Sequence, residues 1–131
     1  MERVQELNVY VVPVLREKVL VLRRHDGFWE FPGGSVDWGE GPEQSAAREA
    51  REEVGSAPKS LSFLGITSAV YEKEGKEKHS VYLVYWGEMV NDTVVLSKEH
   101  SEGRWMTLPE LRFLKLGLNA EDIPAMLEAR G

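Results

Sequence analysis

Cysteine is absent from this 131-residue chain, so disulfide bonds and thiolate metal sites are excluded. Long hydrophobic runs are also missing, because the N-terminal apolar stretch is short and is interrupted by Pro13. That stretch lacks a basic start followed by an apolar core, so we expect no signal peptide and a cytoplasmic location. We find no internal repeat, low-complexity tract or linker, which predicts one domain over residues 1–131.

Basic residues are fewer than acidic residues in this chain. The chain has 16 Lys and Arg against 22 Asp and Glu, which gives a net charge of −6. The basic residues are scattered rather than arranged in a stripe, so we expect neither a nucleic-acid polymer nor a membrane surface as a partner. A small anionic ligand is compatible with this charge if a metal ion supplies positive charge.

The apolar residues form short strand-like segments separated by turns. Strands are predicted at residues 7–15, 19–22, 61–71 and 79–90, with shorter ones at 93–97 and 103–106. The polar segment EKEGKEK at 72–78 predicts a hairpin. Helices are predicted at 42–54, 108–116 and 120–130, with Pro42 suited to a first turn and Gly55 to the residue after a helix end. This order predicts an α/β fold with helices packed on a mixed sheet.

The predicted helix 42–54 separates apolar and acidic residues. Its apolar face has small side chains within an arc of about 60°, namely Ala47, Ala50 and Val54. Its acidic face has three carboxylates within an arc of about 100°, namely Glu49, Glu52 and Glu53. A solvated face with ion pairs such as Arg48 with Glu52 is one explanation. A site for a hard divalent cation, which prefers oxygen ligands, is the other, and helical spacing alone leaves both open.

The residues that precede these carboxylates decide between the two explanations. From Gly34 the chain reads GSVDWGEGPEQSAAREAREEVGS, which matches G-x5-E-x7-R-E-x2-E-E-x-G at all seven fixed positions. The odds of a chance match in a chain of this length are about 10⁻⁵. The stretch at 34–56 resembles the Nudix box, and DGFWEFPGG and EGRWMTLPEL on either side resemble the same family of hydrolases. The resemblance implies an α/β/α sandwich with a central mixed β-sheet and a strand–loop–helix–loop catalytic motif.

The resemblance also implies a divalent metal site, with Mg²⁺ as the expected cofactor and Mn²⁺ as an alternative. The implied ligands are Glu49, Glu52, Glu53 and the carbonyl of Gly33. Glu49 is alternatively the base that orients the attacking water. The family often supplies one more carboxylate from the region of SEGRW, where Glu102 is our candidate and Glu99 competes with it. His100 is either a base, a substrate contact or a structural residue.

Three further residues of the motif are expected around this metal site. By resemblance, Arg48 belongs to the catalytic set and holds the carboxylates in place by ion pairing. Glu40 lies at the edge of the site, as a supporting ligand, a substrate contact or a structural partner. Gly34 lies on the substrate side, where a residue without a side chain allows the loop backbone to approach closely.

The resemblance implies hydrolysis of a phosphoanhydride bond in a small nucleotide. The leading substrate class is a (deoxy)nucleoside triphosphate, with a monophosphate and pyrophosphate as products. Trp29, Tyr71 and Asn119 are candidate substrate contacts, although both aromatic residues are also compatible with a core position. No asparagine follows the segment DIP, so the sequence does not predict specificity for 8-oxoguanine. Tyr71 keeps a dinucleoside polyphosphate hydrolase open.

An ADP-sugar hydrolase, a non-catalytic nucleotide sensor and a structural interaction domain are also compatible with the sequence. An intact set of carboxylates argues against the sensor and the interaction domain, because neither needs a full metal cluster. We expect a monomer or a homodimer.

Overall fold

The computed structural model describes residues 1–130, which form a seven-stranded mixed sheet with helices on both faces. The strands are β1 (Glu2–Leu15), β2 (Lys18–Arg24), β3 (Trp29–Glu30), β4 (Gly33–Ser35), β5 (Ser62–Lys73), β6 (Lys76–Glu88) and β7 (His100–Met106). The helices are α1 (Pro42–Val54), α2 (Leu108–Leu111) and α3 (Ile123–Arg130). Within residues 1–130, no helix combines the length and the apolar character needed to cross a membrane.

The long strand β1 lies at the centre of the sheet. The strand order is β3-β2-β1-β6-β5, with β4 paired to β1 and β7 paired to β2. β1 and β6 are parallel along almost their whole length, and every other strand pair is antiparallel. Residues 8–13 of β1 are buried on both faces, which explains why this stretch reads as a nearly continuous apolar run.

Alternate residues of β1 point into two different cores. Val9 and Val11 pack against Ala46 and Ala50 of α1 on one face of the sheet. Side chains on the other face pack against α2 and α3, and the buried set includes Tyr10, Val12, Leu111, Ile123 and Leu127. Each fully buried aliphatic side chain contributes about 1.5–3 kcal/mol to stability. The predicted sandwich with a mixed sheet is confirmed.

Helix α1 has the predicted bounds, but a different set of its side chains is buried. It ends at Gly55, whose φ of 91° is left-handed and whose N–H donates to the Arg51 carbonyl. The buried residues are Ser45, Ala46, Ala50, Glu53 and Val54, whereas the predicted packing residue Ala47 is only half-buried. α1 contacts β4 as well as β1, and Glu53 of the predicted acidic face is buried there with its carboxylate bonded to the Gly33 N–H of β4.

The segment 93–97 is extended but is not a strand, so that prediction was wrong. The N–H groups of Val95 and Ser97 donate to the carbonyls of Val54 and Glu53, at 2.9 and 3.1 Å. The segment therefore pairs with the C-terminal end of α1 instead of with a strand. The hairpin of β5 and β6 and the strand β7 are confirmed.

The helix predicted at 108–116 is limited to Leu108–Leu111. Beyond it, the Lys115 carbonyl accepts the N–H of Trp29, and the Gly117 N–H donates to the Trp29 carbonyl, both at 2.8 Å. After Leu111 the chain therefore leaves the helix and pairs with β3. The third predicted helix is confirmed at Ile123–Arg130, with Pro124 near its start, where proline is tolerated.

Candidate active site

The guanidinium of Arg48 lies among four carboxylates, two from the loop before α1 and two from α1 itself. Its Nε and Nη2 donate to the two oxygens of Glu40 at 3.0 Å each, and Nη2 also donates to the Ser35 carbonyl at 3.1 Å. Its Nη1 donates to Glu49 at 3.0 Å and to Glu52 at 3.2 Å. These bonds, the one to Glu40 first, raise the pKa of Arg48. One side chain thus fixes the relative positions of the loop and the helix.

Glu40 is fully used as an acceptor within the protein. Besides Arg48, its carboxylate accepts the hydroxyl of Ser45 and, at 3.4 Å, the N–H of Asp37. The bonds from Arg48 and then Ser45 lower the pKa of Glu40 to about 2. This environment favours the structural alternative for Glu40 over a direct contact with substrate.

Replacing Glu40 with glutamine is expected to lower thermal stability more at pH 7 than at pH 3. The folded-state pKa of Glu40 lies below its ordinary value of 4.5, so the ionised group stabilises the fold above about pH 4.5. That stabilisation is lost as the pH falls from about 4.5 towards about 2. Thermal unfolding at both pH values measures the effect. An equal difference in Tm at pH 7 and pH 3 would contradict it, and Glu43→Gln, an exposed carboxylate on the same helix, is the control.

Glu53 is buried, with 2% of its surface exposed. Its Oε1 accepts the backbone N–H of Gly33 at 2.8 Å, and its Oε2 lies 3.3 Å from Nδ1 of His100. Burial is the main cause that raises the pKa of Glu53 to about 9. Further increases come from neighbouring carboxylates, namely Glu99, Glu49 and Glu30. These surroundings therefore disfavour the ionised form of Glu53, and a bound cation would favour it.

Two consecutive glycines bring the β4 backbone close to these groups. A Cβ atom on Gly33 would lie 2.1 Å from the carbonyl oxygen of Val9, so β4 approaches β1 too closely for any side chain. A Cβ atom on Gly34 would lie 2.6 Å from the carboxyl group of Glu49. The space beside Gly34 thus receives the Glu49 side chain, which is half-buried and whose pKa is raised by burial.

The side chains next to α1 fit a divalent cation. One ligand atom from each of Glu53, Glu99 and His100 lies within 4.8 Å of the other two. Two carboxylates at this separation repel each other, and a divalent ion with oxygen ligands removes that repulsion. Glu52 is exposed and pairs with Arg48 at 3.2 Å.

Glu102, our first candidate for an additional carboxylate ligand, is not in the group formed by Glu53, Glu99 and His100. It forms an ion pair with Arg104, and 37% of its side chain is exposed. Between the two candidates of this segment, the geometry favours Glu99. The structure shows the N–H of Gly33 bonded to Glu53, whereas a role for the Gly33 carbonyl stays a prediction.

A cavity of about 780 Å³ is lined by Tyr10 and Glu30 among others, and Glu30 and the buried His100 lie between it and Glu53. Tyr71 and Asn119 both line it, as does Tyr82, whose ring stacks on that of Tyr10 with centroids 4.1 Å apart. The side-chain Oδ1 of Asn119 is buried without a hydrogen-bond partner among the described residues. The cavity thus offers aromatic surface, as sites for small organic ligands do.

Glu30 connects this cavity to the group formed by Glu53, Glu99 and His100. No sequence pattern indicated a role for Glu30. Glu30 lines the cavity, and its Oε2 lies 2.8 Å from Nε2 of the buried His100. A single glutamate before a proline–glycine turn is not distinctive, so only the fold reveals its position. Trp29, in contrast, is absent from the lining and is buried in the core with the guanidinium of Arg104 over its ring.

The sequence model of the family described as NUDIX domain matches residues 4–128, which contain both α1 and the cavity. The chain belongs to the NUDIX domain family. Among curated proteins, it is similar to the 8-oxo-dGTP diphosphatase of Escherichia coli (strain K12), with 36% identity over 97 residues. That match covers 72% of this chain and 64% of the relative.

A second NUDIX relative has a different substrate in its name. The asymmetrical bis(5'-nucleosyl)-tetraphosphatase of Mus musculus is 34% identical over 96 residues, which cover 70% of this chain and 65% of that protein. The matched part spans about half to two thirds of these and other curated relatives. A solved MutT protein from Methanosarcina mazei Go1 has a TM-score of 0.79 at 28% identity, covering 98% of this chain and 94% of its own.

Proposed function

We propose that this NUDIX domain is a Mg²⁺-dependent hydrolase of a phosphoanhydride bond in a nucleoside diphosphate derivative, with Mn²⁺ as an alternative ion. The leading substrate class is a (deoxy)nucleoside triphosphate, which would give a monophosphate and pyrophosphate. The observation that carries the proposal is the buried carboxylate of Glu53, which lies among other carboxylates and is connected through His100 and Glu30 to the cavity. The family and the substrates named for both relatives support it.

In this proposal, the residues around α1 hold the charges that phosphoanhydride cleavage requires. A bound divalent cation would neutralise phosphate charge and make an attacking water more acidic. Glu53 and Glu99 are the ligands that the geometry favours, with Glu49 either a third ligand or the base that orients the water. Glu52 is an exposed candidate ligand, and Arg48 keeps Glu49 and Glu52 in position.

The substrate nucleoside is proposed to occupy the cavity lined by Tyr71, Tyr82 and Asn119. The rings supply a surface on which a base can stack, and Asn119 lines the same cavity. Trp29 is less suited to this role because it is buried in the core. Gly34 leaves room for Glu49 and thereby acts on the substrate only through that carboxylate.

Hydrolysis of a dinucleoside polyphosphate is the second candidate. Its support is the position of Tyr71 in the cavity together with the similarity to the tetraphosphatase. ADP-sugar hydrolysis has support from the 28% identity to the ADP-ribose pyrophosphatase of Methanocaldococcus jannaschii. These candidates share the metal site and differ in what fills the cavity.

A hydrolysis panel tests the proposal. It contains unmodified and oxidised (d)NTPs, diadenosine polyphosphates, ADP-ribose and nucleotide sugars, each with Mg²⁺ or with EDTA, and products are identified by chromatography. We expect turnover of one class, with Mg²⁺ required. Nucleotide binding without turnover of any class would contradict the enzyme and favour a sensor.

Substituting lysine for Arg48 is expected to lower turnover by about 10- to 100-fold. Lysine keeps the positive charge but lacks the planar fork that bonds Glu40, Glu49 and Glu52 at the same time. Steady-state kinetics on the preferred substrate measures the loss, with exposed Arg51→Lys on the same helix as the matched control. Equal activity in both variants would show that Arg48 does not position the carboxylates.

A further inference from the structure

His100 is a buried polar side chain next to Glu53. Only 2% of its side chain is accessible, and it lies at the start of β7. Its two ring nitrogens have different surroundings. Nε2 is 2.8 Å from Oε2 of Glu30, whereas Nδ1 is buried and has no hydrogen-bond partner among the described residues. That unpartnered nitrogen is directed towards Glu53, with 3.3 Å between Nδ1 and Oε2.

Glu30 determines which nitrogen of His100 carries the proton. A carboxylate accepts hydrogen bonds, so the contact with Glu30 favours the tautomer with its proton on Nε2, in which Nδ1 keeps its lone pair. Glu30 is itself held in place, because its Oε1 accepts the Tyr10 hydroxyl at 3.3 Å and lies 3.7 Å from Arg24 Nη1. In a metal-binding histidine, one ring nitrogen usually donates to a carboxylate while the other nitrogen faces the metal. His100 has this arrangement, with Glu30 as the carboxylate and with Nδ1 facing acidic side chains.

We propose that Nδ1 of His100 is a metal ligand, so that this chain has a mixed nitrogen and oxygen site made by His100, Glu53 and Glu99. The inference rests on the metal site of the proposed function and adds the identity of one ligand to it. Glu30 is the positioning residue that orients the imidazole. The mutual separation of the three ligand atoms, within 4.8 Å, fits a single ion.

An imidazole ligand changes which ions the site prefers. Mg²⁺ favours oxygen ligands, whereas Mn²⁺ and the later first-row ions accept nitrogen readily and bind with increasing affinity towards Ni²⁺. We therefore expect His100→Gln to weaken Mn²⁺ and Ni²⁺ binding by about 10- to 100-fold, and Mg²⁺ binding by less than about threefold. Calorimetric titration without nucleotide measures all three affinities independently of activity.

Pulsed electron paramagnetic resonance of the Mn²⁺-loaded protein tests the ligand directly. The sample is the tag-free variant His25→Gln/His79→Gln, in which His100 is the one remaining histidine of three. We expect a nitrogen modulation whose frequency changes when the protein contains ¹⁵N-histidine. Isotope labelling leaves His100 itself unaltered, so the result does not depend on the folding of a His100 variant.

Three outcomes would overturn the proposal. Mn²⁺ bound without any coupling to histidine nitrogen would show that His100 is not a ligand, and the metal site of the proposed function would still stand. Absence of Mn²⁺ and Mg²⁺ binding in titrations of the wild-type protein would remove the inference and the proposed metal site together. Equal loss of Mg²⁺ and Mn²⁺ affinity in His100→Gln would show that His100 supports the fold of the site without providing a nitrogen ligand.

Discussion

Replacing Glu53 with glutamine is expected to lower turnover by about a thousandfold and at the same time to stabilise the metal-free protein. Loss of a metal ligand removes several kcal/mol of charge stabilisation from the transition state, which corresponds to this change in rate. Glutamine keeps an oxygen that can accept the Gly33 N–H, so the local fold is retained. The substitution separates catalysis from folding, because the carboxylate is needed for turnover but destabilises the folded, metal-free protein.

The stabilisation by Glu53→Gln is expected to depend on pH. In the metal-free protein the folded-state pKa of Glu53, about 9, lies above its ordinary value of 4.5. Between these pH values the unfolded chain releases the proton and the folded protein retains it, so stability falls as the pH rises. Glutamine removes this dependence. In EDTA, the Tm of Glu53→Gln should exceed that of wild type more at pH 8 than at pH 5.

Thermal unfolding in EDTA at pH 5 and 8, together with kinetics in Mg²⁺, measures both effects. Glu43→Gln on the same helix is the control and should change neither quantity, because its carboxylate is exposed and lies near the opposite end of α1 from Glu53. A Glu53→Gln protein that is less stable than wild type at pH 8 would contradict the burial of an uncompensated carboxylate.

The adjacent substitutions Gly33→Ala and Gly34→Ala are expected to have different effects, the first mainly on stability and the second mainly on turnover. A Cβ on Gly33 would collide with backbone, the Val9 carbonyl oxygen at 2.1 Å, which cannot move without separating β4 from β1. We expect Gly33→Ala to lower the free energy of unfolding by about 2–4 kcal/mol. A Cβ on Gly34 would meet the end of a flexible side chain, the Glu49 carboxyl at 2.6 Å, which can turn away.

Gly34→Ala should therefore cost little stability, about 1 kcal/mol or less, but displace Glu49 and lower turnover by about 100-fold. Urea unfolding and steady-state kinetics on both variants distinguish the two effects. Nearly equal stability loss in the two variants, with activity retained in Gly34→Ala, would show that the Glu49 position beside Gly34 has no part in the reaction.

The parts of the fold that depend on local pattern were predictable. α1 has a proline at its start, a glycine at its end and a helical period between them, so its bounds were predicted correctly. The β5–β6 hairpin follows from two β-branched segments around a polar turn. The segment 93–97 has the same β-branched composition, yet its N–H groups bond to the end of α1. Composition indicates an extended backbone but does not identify its partner.

The candidate site was predictable where the residues lie in one motif and not where they come together from distant segments. The motif identified four candidate site residues, namely Arg48, Glu49, Glu52 and Glu53. A helical wheel gives the direction of Glu53 relative to α1, but its burial results from residues of β4 and β7 that contact it. The connection from Glu30 to the histidine of β7 joins residues separated by 70 positions, and no periodicity reports such a contact.

The decisive measurement is turnover of the preferred substrate, compared between wild type, Glu53→Gln and Glu43→Gln in Mg²⁺ and in EDTA. We expect wild type and Glu43→Gln to release a nucleoside monophosphate at similar rates in Mg²⁺, and EDTA or Glu53→Gln to reduce the rate by about a thousandfold. Turnover that persists in EDTA, or that is the same in Glu53→Gln as in wild type, would contradict a metal-dependent hydrolase built on the α1 carboxylates.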